Sequence, residues 1–176
     1  MREMLLDFML LKTEPGKEDE VLKTIRGLNG VREAHTITTG HNIIVEMIAD
    51  DMTTMKEIVR NVRSQPHLTD AETYQCQEEV EEIPEKPIKD ILAYVLLETR
   101  PVSEIEVANM VREVEGVLEA YPVYGVWDIF SEITAADRDS IREIIRKMVQ
   151  KAGEGKIQNT LTMIVMDKDD KERKAS

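Results

Sequence analysis

The sequence predicts an α+β protein made of two tandem modules of order βαββαβ. Three observations carry that prediction: an internal repeat, the same succession of strand and helix patterns in each half, and an acidic, proline-bearing segment between the halves. With the 176-residue chain laid on itself at a shift of 86, residues 6–34 fall over 92–120, and 13 of the 29 pairs are identical where chance would give roughly two. The register persists further on, where Ile43, Glu46, Ala49, Asp51, Glu57, Ile58 and Arg60 meet Ile129, Glu132, Ala135, Asp137, Glu143, Ile144 and Arg146. A duplicated unit of this size implies a first domain at 1–77, an acidic linker with two prolines at 78–88, a second domain at 89–167 and a charged tail at 168–176. Charges alternate without apolar periodicity from Asp167 onward, so that end is expected to fray.

Each module opens with an apolar strand, expected at 5–12 and 91–98, and a Thr-x-Pro turn then breaks the ladder because proline has no N–H to give. The first helix shows Val21, Ile25 and Leu28, or Val107, Val111 and Val114, at helical spacing; Ser103 is placed to cap it, and Gly30 or Gly116 ends it. Two β-prone runs about a glycine follow, at 31–39 and 42–49 and again at 117–124 and 128–134, which is the pattern of a hairpin. A second helix is marked by Met55, Ile58, Val59 and Val62, or by Ile141, Ile144, Ile145 and Met148. Strands at 70–76 and 158–166 close the units.

This order is that of the ferredoxin-like arrangement, with two helices on one face of a four-stranded antiparallel sheet. Pro122 agrees with it, because the strand after the first helix then lies at an edge, where a missing donor is tolerated. The strands are apolar on both sides, as in Met9-Leu10-Leu11, Tyr94-Val95-Leu96-Leu97 and Met163-Ile164-Val165-Met166. A second face of that kind is expected to be covered, by the other copy, another chain, or both.

Composition narrows the function. With 41% hydrophobic and 33% charged residues the chain is globular, and its net charge of −12 argues against a phosphate backbone as partner. The early apolar run from Met4 to Leu11 is interrupted by Asp7 and lacks a cleavage site, so no secretion signal or membrane span is expected. Cys76 is alone, which removes any internal disulfide and points to the cytoplasm. His35 and His41 flank a predicted turn without a third ligand at metal spacing, and no small-residue elbow precedes Cys76. The paired acids Glu78-Glu79 and Asp169-Asp170 lie in the expected linker and tail, and no phosphate loop is present. No catalytic residue, cofactor or metal site is therefore expected, and the chain is not expected to be an enzyme.

One segment does suggest recognition. Tyr124, Gly125, Trp127 and Asp128 gather a glycine, two aromatics and an acid where two strands meet. A glycine N–H can hold a carboxylate, an acid can hold an ammonium, and aromatic walls exclude water. The same pattern also fits a plain turn with a half-buried aromatic.

The runs 93–101, 114–121, 124–129 and 160–165 resemble the ligand-binding (RAM, ACT-like) domain of Lrp/AsnC-type regulators, whose glycine-x-x-aspartate turn matches Gly125 and Asp128. The first copy resembles it more loosely, its turn Gly40-His41-Asn42 reading one residue shorter with Asn42 in place of the acid. The resemblance implies dimers and higher assemblies and a small effector, usually an amino acid, at an interface near that turn. Tyr124, Gly125, Trp127, Asp128, Thr160 and Thr162 are the expected ligand-binding residues. Family members carry an N-terminal helix-turn-helix, which the first five residues leave no room for, so a stand-alone sensor without direct DNA or membrane contact is expected. The alternative is an assembly subunit that joins DNA-binding relatives and binds no small molecule.

Overall fold

The computed structural model describes residues 3–81 and 87–167. The expected linker falls partly outside these residues and the expected tail at 168–176 wholly so. Two compact units are present, one holding the described residues up to 81 together with Met166 and Asp167, the other residues 87–165.

The first unit runs β1 (Leu5–Thr13), α1 (Glu18–Arg26), β2 (Val31–Thr36), β3 (Ile43–Ala49), α2 (Met52–Arg63) and β4 (Leu68–Cys76). The second repeats the order with β5 (Ile91–Thr99), α3 (Glu104–Val111), β6 (Val117–Tyr124), β7 (Ile129–Ala135), α4 (Arg138–Ala152) and β8 (Ile157–Ile164). Within each unit the strands are antiparallel, in the orders β2-β3-β1-β4 and β6-β7-β5-β8. The ferredoxin-like α+β fold is thus present twice. Within its own unit β6 lies at the end of the sheet, and Pro122 sits there opposite Ile129.

Both helices of a unit share one core. Val21, Leu22 and Ile25 of α1 and Met55, Ile58 and Val62 of α2 pack with Met9 and Leu11 of β1 and Ile43, Val45 and Met47 of β3. Alternation along the strands explains the choice, since successive side chains point to opposite faces. The second unit builds the equivalent core from Val107, Val111, Ile141, Ile144 and Met148 over Val95, Leu97, Ile129 and Ile133. The opposite faces carry Leu6, Phe8 and Leu10, or Leu92, Tyr94 and Leu96, and these side chains are buried as well.

Helix starts differ from expectation. Ser103 stands at the start of α3 but turns its hydroxyl back to donate to the Arg100 carbonyl at 2.6 Å instead of capping. The caps are Asp51 and Asp137, which accept from the N–H of Thr54 and of Ser140, each at 2.7 Å. Those hydrogen bonds to the helix-start amides hold both carboxyls below the usual carboxylate range. Asp167 also departs from expectation. It accepts from Arg26 Nη2 at 2.6 Å and from the Thr36 N–H at 3.1 Å, and lies 3.5 Å from His35 Nδ1. Burial works to raise its pKa, but His35 and Arg26 outweigh that and hold it low, so this residue is anchored.

Gly30 and Gly116 are required twice over. Their φ values of +84° and +97° suit glycine, and a Cβ would meet Ile58 Cδ1 at 2.1 Å or Ile144 Cδ1 at 2.5 Å. Replacing Gly116 by Ala is expected to cost about 2 kcal/mol or more, from a strained φ and an overpacked contact together. A urea denaturation midpoint that does not move would exclude this reading.

Asp7 is the counterexample in the first core. It lies on the helix-facing side of β1 between Met47 and Gln75, is 6% exposed, and has no hydrogen-bond or ionic partner among the described residues. Burial pushes its pKa up to about 6. The charged groups across from it are Lys56, Arg60 and Arg63 of α2, while its strand neighbours are uncharged. Because the folded carboxyl holds its proton more tightly than the unfolded one, stability must fall as pH rises from about 4 to about 6 and stay lower above that. Asp7→Asn should therefore stabilise the protein by about 2 kcal/mol at pH 7 and change nothing at pH 4. Denaturation curves at the two pH values measure the difference.

Candidate functional site

The turn of the second unit is built by two hydrogen bonds on either side of Asp128. Its N–H donates to the Leu97 carbonyl at 2.9 Å, and its Oδ2 accepts from the Thr99 N–H at 2.8 Å. The Asp128 carbonyl accepts from Val123 N at 2.8 Å, which closes the loop 124–127. Asp128 thus ties the β6–β7 connection to the end of β5.

The first unit makes the same latch. The Asn42 N–H donates to the Leu11 carbonyl at 2.8 Å, Asn42 Oδ1 accepts from Thr13 N at 2.9 Å, and Ile37 N donates to the Asn42 carbonyl at 2.8 Å. Every partner is displaced by 86, so the two loops have equal length. The expectation of a turn one residue shorter in the first copy is corrected: only the glycine has moved. Thr39 takes the place of Gly125 with φ of 150° against 153°, a backbone region that favours glycine. The acid and the amide also do the same structural work, because either presents an oxygen to the backbone N–H.

Around this latch Tyr124 and Val126 are 61% and 81% exposed, and Trp127 and Asp128 are half-buried. The turn therefore brings Tyr124, Gly125, Trp127 and Asp128 together. Thr160 and Thr162 stand apart from them: they pair with Leu97 and Val95 on the far side of β5, and these partners point toward the helices. Two strand spacings, about 10 Å, separate Thr160 from the β7 end.

The histidines do not converge. His35 is buried, 2.5 Å from Glu33 Oε1. His41 Nε2 lies 3.1 Å from Asp70 Oδ2 and 4.0 Å from Glu72 Oε1. His41, Asp70 and Glu72 bring their donor atoms within 4.8 Å of one another, potential ligands for a divalent ion, though ion pairing accounts for their approach. Sequence spacing could not reveal this trio, because residues 29 and 31 positions apart meet only through the folding of β3 and β4 about β1. Cys76 is buried and forms no disulfide among the described residues.

Sequence reasoning also missed a groove beside α2 and β4, of about 650 Å³, lined by Asp7, Met55, Lys56, Arg60, Arg63 and Thr73 among others. The signal lay in the repeat: Asp7 and Arg63 stand where the second copy has Ala93 and Val149.

The fold defines a tandem α+β class, and the comparisons make it specific. The family described as Lrp/AsnC ligand binding domain matches residues 8–85 and again 92–174. The chain belongs to that family. No curated protein matches it. Among solved structures it is similar to the siroheme decarboxylase NirDL, at 10% identity and a TM-score of 0.68 over 93% of this chain and 72% of that one. It is also similar to an anthrone oxidase-like protein, at 10% identity and a TM-score of 0.58 over 94% and 91% of the two chains. A putative monooxygenase from Lactobacillus acidophilus NCFM shares 8% identity at a TM-score of 0.55, over 94% of each chain. At such identities the likeness is one of fold. It nonetheless overturns the expectation that the chain is not an enzyme, because nearly its whole length follows folds whose described examples include enzymes. Among the described residues no helix is long and apolar enough to cross a membrane.

The shared latch separates structure from charge at residue 128. Asp128→Asn should leave stability within about 0.5 kcal/mol, since the amide oxygen still accepts, whereas Asp128→Ala should lose about 1 kcal/mol. Equal losses in urea denaturation would show that the latch needs the charge.

Proposed function

We propose that the chain recognises a small molecule, an amino acid or a close relative, at the 124–128 turn of its second module. The carrying observation is an exposed apolar tip, Tyr124 and Val126, beside the half-buried Trp127 and a carboxylate, on an otherwise strongly charged chain. Asp128 keeps its second oxygen for a ligand ammonium, Gly125 offers its N–H to the ligand carboxylate, and Tyr124 with Trp127 walls the site. Thr160 and Thr162 take part only where a ligand is long enough to cross β5. Membership of a ligand-binding family supports the reading, as it supports association with further copies or with DNA-binding relatives.

A second reading, that the bound molecule is also transformed, is favoured by the architecture shared over 93% of the chain with NirDL, a siroheme decarboxylase. Fold alone does not assign that chemistry, so the substrate has to be found by assay.

One experiment serves both. Calorimetric titration with the common amino acids and with an iron-uroporphyrin III analogue, followed by mass spectrometry of each incubated mixture, is expected to yield at least one ligand. Asp128→Asn should weaken an ammonium-bearing ligand about tenfold or more while leaving the fold intact. Silence across the panel, or affinity indifferent to Asp128→Asn, would remove the turn as the site; a changed mass would establish turnover.

A further inference from the structure

We propose that the groove between α2 and β4 of the first unit is a second binding site, for a small organic acid with an apolar body and a hydrogen-bonding group at the far end. Its anionic head meets Arg60, Arg63 and Lys56, its body lies on Met52, Met55 and Val59, and its far group reaches Asp7 and Thr73. The groove holds about 650 Å³, a volume ordinary for small-molecule sites, and all of these residues line it.

Four observations converge. Lys56, Arg60 and Arg63 follow one another at spacings of four and three residues, so they share one stripe of α2. None of the three is ion-paired among the described residues, in a chain whose net charge is −12. Asp7, 6% exposed, lines the groove without a partner among the described residues, and the buried Thr73 hydroxyl oxygen has none among them either. Unsatisfied buried groups of this kind are costly to a fold and are kept where a ligand completes them.

The second unit supplies the control. At the equivalent positions it has Ala93 for Asp7, Val149 for Arg63 and, by strand register, Ile164 for Gln75. Ala93 belongs to the core there, with Ile164 packed against it. The equivalents of Lys56 and Arg60 are ion-paired along their own helix, Arg142 with Asp139 at 3.8 Å and Arg146 with Glu143. Glu57 is the equivalent of Glu143, yet Arg60 lines the groove instead of pairing with it. At the strand positions beneath the helix the same fold is therefore apolar in one copy and polar, facing cations, in the other.

The site is independent of the turn in the second module, and its test reads the groove directly. Methyl NMR of Met52 and Met55 in the full chain is followed during titration with 6-hydroxyhexanoate, hexanoate and hexan-1-ol. Saturable shifts of both methyls are expected with the two acids, strongest for the hydroxy acid, and none of comparable affinity with the alcohol. The paired substitution Arg60→Gln and Arg63→Gln should weaken both acids about tenfold or more. Asp7→Ala, which places there the residue the second copy carries, should abolish the preference for the hydroxy acid and keep hexanoate binding. Absence of saturable shifts at millimolar concentrations, an equal response to the alcohol, or unchanged binding in the arginine variant would overturn the proposal.

Discussion

The contact on which each unit is built is the approach of its second helix to the glycine that precedes its second strand. Ile58 and Ile144 press where a Cβ of Gly30 or Gly116 would stand, at 2.1 and 2.5 Å. That approach sets the helix against the strand that follows the glycine, and Ile48 or Thr134 of the neighbouring strand donates its N–H to the glycine's carbonyl at 2.8 or 2.9 Å. Helix packing and hairpin register are thereby fixed at one point. Interiors packed at near-crystalline density leave no slack to absorb an added carbon there.

From that point the hairpin is carried to its tip, where Asn42 or Asp128 ties it to the end of the first strand. Since the latch asks only for an oxygen acceptor, drift between amide and acid costs it little. The charge on Asp128 is then structurally dispensable. A latch held by one oxygen leaves the other without a hydrogen bond among the described residues.

Much of this was legible in the sequence. The repeat announced two units and the apolar periods announced which faces meet, but Gly30 and Gly116 are not the helix ends: α1 stops at Arg26 and α3 at Val111, and the two glycines stand at the turn into the next strand. Loop length is not legible from residue identity: matching Gly40 to Gly125 suggests a missing residue, while the hydrogen bonds match Thr39 to Gly125. Ser103 was a plausible cap by residue type, yet its hydroxyl found the nearer carbonyl of Arg100. Of the candidate site, the contiguous turn was readable, but Thr160 and Thr162 were joined to it by resemblance, and strand order places β5 between them. Asp7 looked like a mere interruption of an apolar run, because which face a lone acid takes is decided by register and not by its neighbours in sequence.

The divergence of the copies follows one physical rule. In the second, Ala93 and Ile164 stand in or against the core where the first has Asp7 and Gln75, and Arg142 and Arg146 are paired on the helix. In the first, the same seam holds an acid raised to about 6 by burial and, among the described residues, a hydroxyl without a partner and cations without counterions. Random drift erodes stability without regard to place, but here the polar departures face one another across a single groove. Duplication makes such a concession tolerable, because the partner copy retains the fully packed form of the fold while the first keeps a seam that a ligand can complete.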